Sequence, residues 1–145
     1  ELRYFHPKDD FRDTTGITVA TIGGDYTFRD GLYLHGAFLY NSNGTTGKAA
    51  RSSFILNEQI SAKNLTPDMY SIFGQVAYPV TPLIRADLSG IYNPSDRSAF
   101  VGPSVTISLM NNLDLLLNTQ LFYGREGTEY GDVGKLYFLR MKYSF

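Results

Sequence analysis

The stretch Leu32-Tyr33-Leu34-His35-Gly36-Ala37-Phe38-Leu39-Tyr40 decides the fold of this chain. Its even-numbered residues are Leu, Leu, Gly, Phe and Tyr, and none of them is charged. Successive side chains of a β-strand point to opposite faces of a sheet, so a period of two indicates a strand and not a helix. We therefore predict a strand with one apolar face.

The same alternation recurs in six further segments, which lie near residues 17–28, 69–79, 83–93, 99–110, 113–123 and 135–145. Uncharged and mostly apolar residues share one face of each segment, whereas polar and charged residues concentrate on the other. The composition, with 11 Tyr, 10 Phe and 14 Gly in 145 residues, suits strands and tight turns. The predicted fold class is all-β.

Composition also excludes several functions. The 13 basic and 14 acidic residues leave a net charge of −1, which gives no electrostatic basis for binding nucleic acid. The absence of Cys excludes disulfides, thiolate metal sites and thiol catalysis. No nucleophile motif surrounds His35. We therefore predict a protein that is not an enzyme, with no catalytic, cofactor-binding or metal-binding residues.

Two architectures are consistent with strands that have one apolar face. In a soluble sandwich or lipocalin-like barrel this face points inward, and in a membrane barrel it points outward. Connections alternate between short turns at 29–31, 79–82 and 110–113 and longer loops at 41–68, 93–98 and 124–134. Aromatic residues sit mainly at strand ends, as in the girdles that mark the two membrane interfaces. The girdle residues we predict are Phe28, Tyr40, Tyr70, Tyr78, Tyr92 and Tyr123. Both features favour the membrane barrel.

The last strand ends on an aromatic residue with alternating apolar residues before it, namely Tyr137, Leu139, Met141, Tyr143 and Phe145. This strand resembles the terminal strand of Gram-negative outer-membrane β-barrel proteins, and the later segments are similar to the last strands of porin-like and export-type barrels. The resemblance implies that these five residues form a C-terminal signal for the barrel-assembly machinery. It also implies an outer-membrane location and the lipid bilayer as a partner.

The predicted architecture is therefore a transmembrane antiparallel up-and-down β-barrel, with residues 1–145 forming one barrel domain or a barrel portion. Seven full strands are predicted, and residues 1–6 supply part of an eighth. Bacterial single-chain barrels have even strand numbers. We therefore expect the C-terminal part of a larger barrel, whose remaining strands lie on another segment or chain. A complete eight-stranded barrel is the alternative. With Phe145 at the periplasmic rim, loop 41–68 is a long extracellular loop.

The polar faces would then line the lumen. The lumen-lining residues we predict are His35, Gln75, Arg85, Asp87, Asp114, Asn118, Gln120, Arg140 and Lys142. Charged groups in this position either pair to fill a narrow interior or line water and set ion preference. The predicted function is a porin-like channel for solute passage or export. The alternatives are a scaffold subunit that binds partner proteins through its loops or lipid face and, ranked third, an outer-membrane enzyme.

Four local features give further expectations. Gly24, Gly36, Gly74 and Gly90 fall on apolar faces, where they form a shallow groove or relieve strand curvature. The loop acids Glu126, Glu129 and Asp132 lie among glycines and are either solvated charges or oxygen ligands for Ca²⁺. Apolar residues 54–56 and 60 in the longest loop fold into the pore or pack locally. Pro103 is expected near a strand end or a bulge.

Overall fold

The computed structural model describes residues 2–5, 17–44, 46, 68–131 and 133–144, the first four as backbone only. These residues form one antiparallel sheet of eight strands that follow one another in chain order. The strands are β1 (Leu2–Phe5), β2 (Ile17–Thr27), β3 (Tyr33–Asn41), β4 (Tyr70–Thr81), β5 (Ile84–Asn93), β6 (Ser98–Met110), β7 (Leu113–Tyr123) and β8 (Lys135–Tyr143). The predicted all-β, up-and-down fold with seven full strands and one partial strand is confirmed.

The register places all the predicted apolar strand faces on one side of the sheet. Tyr26 is opposite Leu34, Leu34 is opposite Val76, and Val76 is opposite Leu88. We call this side the apolar face. His35, Gln75 and Ser89 form the matching row on the other side, which we call the polar face.

The sheet is open within the described residues. β1 pairs only with β2, and β8 pairs only with β7. All nine residues of β8 are exposed, on both faces of the strand. The predicted closure into a barrel is therefore not seen in the described part of the chain.

Short turns connect the strands at one end, which we call the turn end. Gly31 has a φ of 87°, a conformation that costs glycine nothing because it lacks a Cβ. The second turn falls at residues 82–83 and not at 79–82, because β4 continues to Thr81. We call the opposite end the loop end.

The connections at the loop end differ in length more than we predicted. The connection from β5 to β6 has only residues 94–97, with Arg97 at a φ of 61°. The connection from β7 to β8, residues 124–134, is the longer one that we expected. Most of loop 41–68, including its apolar residues 54–56 and 60, lies outside the described residues, as does Phe145.

The expectation for Pro103 was wrong in part. Pro103 lies in the middle of β6, opposite Leu88 of β5. On the other side of β6, however, the pairing with β7 passes from Val101 to Ser104 and omits Gly102 and Pro103. A proline cannot donate to a ladder, so its position at an interruption of the pairing has a physical reason.

The sheet has almost no hydrophobic core. Only Ile17, Val19 and Ala77 are buried hydrophobic residues among those described, and all three lie on the polar face. The large side chains of the apolar face are exposed, for example Ile22 at 73% and Met141 at 64%. Among the described residues there is no helix of the length and hydropathy needed to cross a membrane. The buried hydrophobic residues of the described part therefore lie on the polar face, and the apolar face is left exposed.

Candidate functional site

The residues predicted to line a lumen all lie on the polar face. The register places His35 opposite Gln75, and Asp114 opposite Lys142. Most of the polar-face side chains in β3, β4 and β7 are partly buried.

One ion pair stands near the turn end of this face. The Arg85 guanidinium lies 3.2 Å from the Asp87 carboxylate on the same strand, and Nε of Arg85 also donates to it. The Arg85 side chain is 60% exposed, whereas that of Asp87 is 20% exposed. The two charges thus satisfy one another in part, and Arg85 still reaches solvent.

The Ser108 hydroxyl of the polar face donates to Asp114 at 2.8 Å. Apolar and aromatic groups are interspersed among such polar residues. The His35 ring meets the edge of Phe73 with centroids 5.1 Å apart, and Leu116 is opposite Arg140. The polar face is therefore a mixed surface with no continuous ring of charge in the described strands.

At the loop end, the connection between β7 and β8 folds back onto the polar face. The Tyr130 ring packs against Phe100 of β6 and Phe122 of β7, with centroid distances of 6.3 and 6.1 Å. Both phenylalanines belong to the polar face. Ile91 lies two residues after Ser89 and therefore on the same face of β5, Phe100 is opposite Ile91, and Phe122 is opposite Phe100. Residues 124–131 consequently cover part of that face, and we call them the lid.

Hydrogen bonds attach the lid to the neighbouring β5–β6 turn. The Asp96 carboxylate accepts the backbone N–H of Glu129 at 2.7 Å and that of Ser98 at 2.8 Å. The side-chain amide of Asn93 donates to the Glu129 carboxylate. The Asp68 carboxyl, which comes from the end of the β3–β4 connection, faces both Asp96 and Glu129. Three connections thus bring three carboxyl groups together.

Two members of this carboxyl cluster of Asp68, Asp96 and Glu129 are buried and Glu129 is half-buried, although the cluster lies at the end of the sheet. Asp68 has no exposed surface and Asp96 is 8% exposed. Burial, reinforced by the charges of Asp96 and Glu129, raises the pKa of Asp68 to about 8. Burial also raises the pKa of Glu129, against hydrogen bonds that lower it, and raises the pKa of Tyr130.

Two buried polar oxygens in residues that contact the cluster have no hydrogen-bond partner among the described residues. They are Oδ1 of Asn93, whose amide group is directed at Glu129, and Oγ of Ser98, whose backbone N–H is bound to Asp96. Neither residue has exposed surface. Buried polar atoms normally have a hydrogen-bond partner, so two unpartnered oxygens in residues of the same site are unusual.

The sequence predicted only part of this arrangement. Glu129 was singled out, but as a solvated charge or Ca²⁺ ligand with Glu126 and Asp132. Glu126 is exposed, Asp132 lies outside the described residues, and no group of three or more acidic, His or Cys side chains among the described residues could hold a metal ion. Asp68 and Asp96 were missed. The only local signal was the Asp96-Arg97-Ser98 turn, whose Asp accepts from the N–H two residues on.

The four glycines form a straight row across the apolar face. Gly24 is opposite Gly36, Gly36 opposite Gly74, and Gly74 opposite Gly90. An open groove of about 710 Å³ follows this row, and Tyr26, Leu34, Val76 and Leu88 form its wall. A Cβ at Gly24 or Gly74 would meet no atom within 4 Å, so these glycines are not required by close packing. Of the two alternatives for these glycines, the groove is therefore seen in the structure.

The predicted girdle residues lie at both ends of the apolar face. Tyr40 and Tyr70 are register partners at the loop end with centroids 5.5 Å apart, and Tyr92 and Tyr123 follow on β5 and β7. Phe28 and Tyr78 lie at the turn end. The described residues of the predicted C-terminal signal, Tyr137, Leu139, Met141 and Tyr143, are all exposed on the apolar side of β8.

Comparisons with known proteins give no family. The chain matches no protein-family model, no curated protein and no solved structure.

Proposed function

We propose that this chain forms part of the wall of a transmembrane β-barrel in an outer membrane, and that the barrel is a porin-like channel for solute passage or export. The observation that carries the proposal is the distribution of exposure. The described residues bury three hydrophobic side chains and expose a continuous apolar face. In water such a face drives association, whereas in a bilayer lipid chains cover it.

Strand length and edge chemistry support the same proposal. The seven long strands have 9 to 13 residues, which suits tilted strands that cross a hydrocarbon core of about 30 Å. Unpaired backbone groups are not tolerated in lipid, so the outer edges of β1 and β8 must be paired. They pair either with one another or with strands beyond the described residues.

The channel function rests on the polar face. A face that carries Gln75, Arg85, Asp87, Asp114 and Lys142 is suited to water and to solutes, since lipid would exclude these groups. The Arg85–Asp87 pair places exposed positive charge beside a less exposed carboxylate, and such groups set ion preference in a pore.

Cysteine labelling tests the membrane orientation. The chain has no Cys, so each introduced Cys is unique. We compare Gln75→Cys with Val76→Cys in protein refolded into liposomes. A membrane-impermeant thiol reagent is expected to label position 75 through the aqueous lumen and to leave position 76 unlabelled. Equal labelling at both positions would refute the membrane-barrel proposal.

Conductance tests the channel. The protein in a planar bilayer is expected to give discrete current steps with an open lumen. A correctly inserted barrel that never conducts would leave the membrane location intact and exclude the channel.

The glycine groove favours a second candidate, a scaffold subunit. The groove of about 710 Å³ on the apolar face suits a partner segment within the membrane. Under this alternative, Gly74→Leu abolishes co-purification of a stoichiometric partner, while Gln75→Leu on the opposite face does not. If neither substitution changes what co-purifies, the groove is not a docking site.

A further inference from the structure

The lid is anchored to the polar face in two chemically different ways. The Tyr130 ring packs against Phe100 and Phe122, a contact that is indifferent to pH below the range in which a buried phenol ionises. The second anchor is the carboxyl cluster, in which acids from three connections lie together, Asp68 and Asp96 buried and Glu129 half-buried. Only the second anchor depends on whether protons are bound.

The buried groups of the cluster indicate which protonation state the closed lid requires. Oδ1 of Asn93 is buried with no donor among the described residues, and an amide oxygen can only accept. A carboxylate has no proton to offer it, whereas a protonated carboxyl group donates one hydrogen bond. Three ionised carboxylates at close range would also repel one another strongly. The hydrogen bonds that Asp96 and Glu129 accept suit their ionised forms, so the bound proton belongs on Asp68, which has no exposed surface.

We propose that residues 124–131 act as a proton-dependent lid, which the carboxyl cluster of Asp68, Asp96 and Glu129 holds on the polar face while Asp68 is protonated, and which deprotonation of Asp68 releases. Other described charged groups of the same connections do not enter the cluster. Arg97, Arg125 and Glu126 are exposed. Tyr130 faces Glu129 and Asp68, and it remains neutral throughout the relevant range.

The direction of the pH effect follows from proton linkage. Asp68 has a raised pKa of about 8 in the closed state, against 3.8 for the group in water. The closed state therefore binds one more proton than the released state between these values. Closure is most favoured at low pH, and the ratio of closed to released lid falls about tenfold for each pH unit as pH rises towards 8. Above that value the dependence levels off.

Hydrogen exchange of the lid tests the proposal directly. The protein in detergent micelles is exchanged at several pH values from 5 to 9, and protection factors of peptides within 124–131 are calculated so that base-catalysed exchange is divided out. Protection is expected to fall about tenfold per pH unit up to about pH 8. Protection that does not vary with pH would overturn the proposal.

Substitutions assign the effect to the cluster. Asp68→Asn replaces the titrating group by a neutral amide of the same size. The slope of the logarithm of the protection factor against pH is therefore expected to become shallower by about one log unit per pH unit. Glu126→Gln, an exposed acid of the same lid, serves as the matched control and should keep the original slope. If Asp68→Asn does not fold, Glu129→Gln is used, since its amide oxygen still accepts from Asn93 and the loss of its charge should lower the pH at which the dependence levels off. An unchanged slope in folded Asp68→Asn, or an unchanged levelling-off pH in Glu129→Gln, would also overturn the proposal.

A consequence for transport rests on the proposed channel. The lid covers the polar face at one end, so its release would widen that mouth, and conductance should rise between pH 6 and pH 9. Because hydrogen exchange reports the lid without any current, a silent barrel with a pH-dependent lid would refute the channel and leave the lid intact.

Discussion

The carboxylate of Asp96 accepts the backbone N–H of Glu129 at 2.7 Å, which joins two connections whose residues are 33 positions apart. The other oxygen of Asp96 accepts the backbone N–H of Ser98 within its own turn. One side chain therefore both shapes the β5–β6 turn and fastens the lid to it.

Removal of this carboxylate should loosen both connections. In Asp96→Ala, the two N–H groups lose a charged acceptor, and hydrogen bonds to charged groups contribute about 1.5–3 kcal/mol each. We expect the free energy of local opening at Glu129 and Ser98 to fall by about that amount, as measured by amide hydrogen exchange at pH 6. Glu126→Ala, in the same lid but exposed, should leave exchange unchanged. Unaltered protection of the Glu129 amide in Asp96→Ala would show that the bond does not hold the lid.

The lid also depends on a glycine at position 131. A Cβ built there would overlap the carbonyl oxygen of Arg125 and the hydroxyl of Thr128, so Gly131→Ala must displace the turn. Overpacking of this kind costs about 1–3 kcal/mol. We expect faster exchange at residues 124–131 while the strands remain protected. Gly74→Ala is the matched control, because its Cβ enters open space. Equal effects of the two substitutions would contradict the close packing of the lid.

Local pattern was sufficient to predict the strands and their faces, since the period of two is a property of neighbouring residues. The alternation around Gly36 and Gly74 therefore predicted where these strands lie. Once the apolar face of each strand was identified, it also placed both glycines on that face. The Pro103 expectation failed because one strand can interrupt its pairing on one side and keep it on the other. That distinction depends on the neighbouring strands and is absent from the local sequence.

The carboxyl cluster could not be predicted for a different reason. Asp68, Asp96 and Glu129 belong to three connections, and no periodicity relates residues so far apart. An acid in a polar loop is normally solvated, which was the default for Glu129. Its burial follows from the way in which Tyr130 draws the lid onto Phe100 and Phe122. Tertiary contacts of this kind decide which loop acids lose water.

Charge on the apolar face should distinguish a membrane protein from a soluble one. Val76 is 41% exposed on that face, and Gln75 is its neighbour on the polar face. In a bilayer, Val76→Lys is expected to lower the free energy of unfolding by about 2–4 kcal/mol, because a lysine near the midplane loses hydration. Gln75→Lys should change it little. Guanidinium unfolding in liposomes measures both values. A soluble protein would tolerate Lys at either position, so equal small effects would argue against the bilayer.

The Arg85–Asp87 pair should set ion preference in the channel. Asp87→Asn leaves the exposed Arg85 without its counter-charge, so the lumen becomes more positive and the current more anion-selective. Arg85→Gln leaves Asp87 alone and should shift selectivity in the opposite direction. The reversal potential in a salt gradient across a planar bilayer measures both shifts, and the double variant Arg85→Gln with Asp87→Asn should return towards the original value. If the two single variants shift the reversal potential in the same direction, or not at all, this pair does not face the conducting path. The opposite signs separate a local charge effect from a general loss of structure, since a distorted barrel would change the size of the current without reversing its preference.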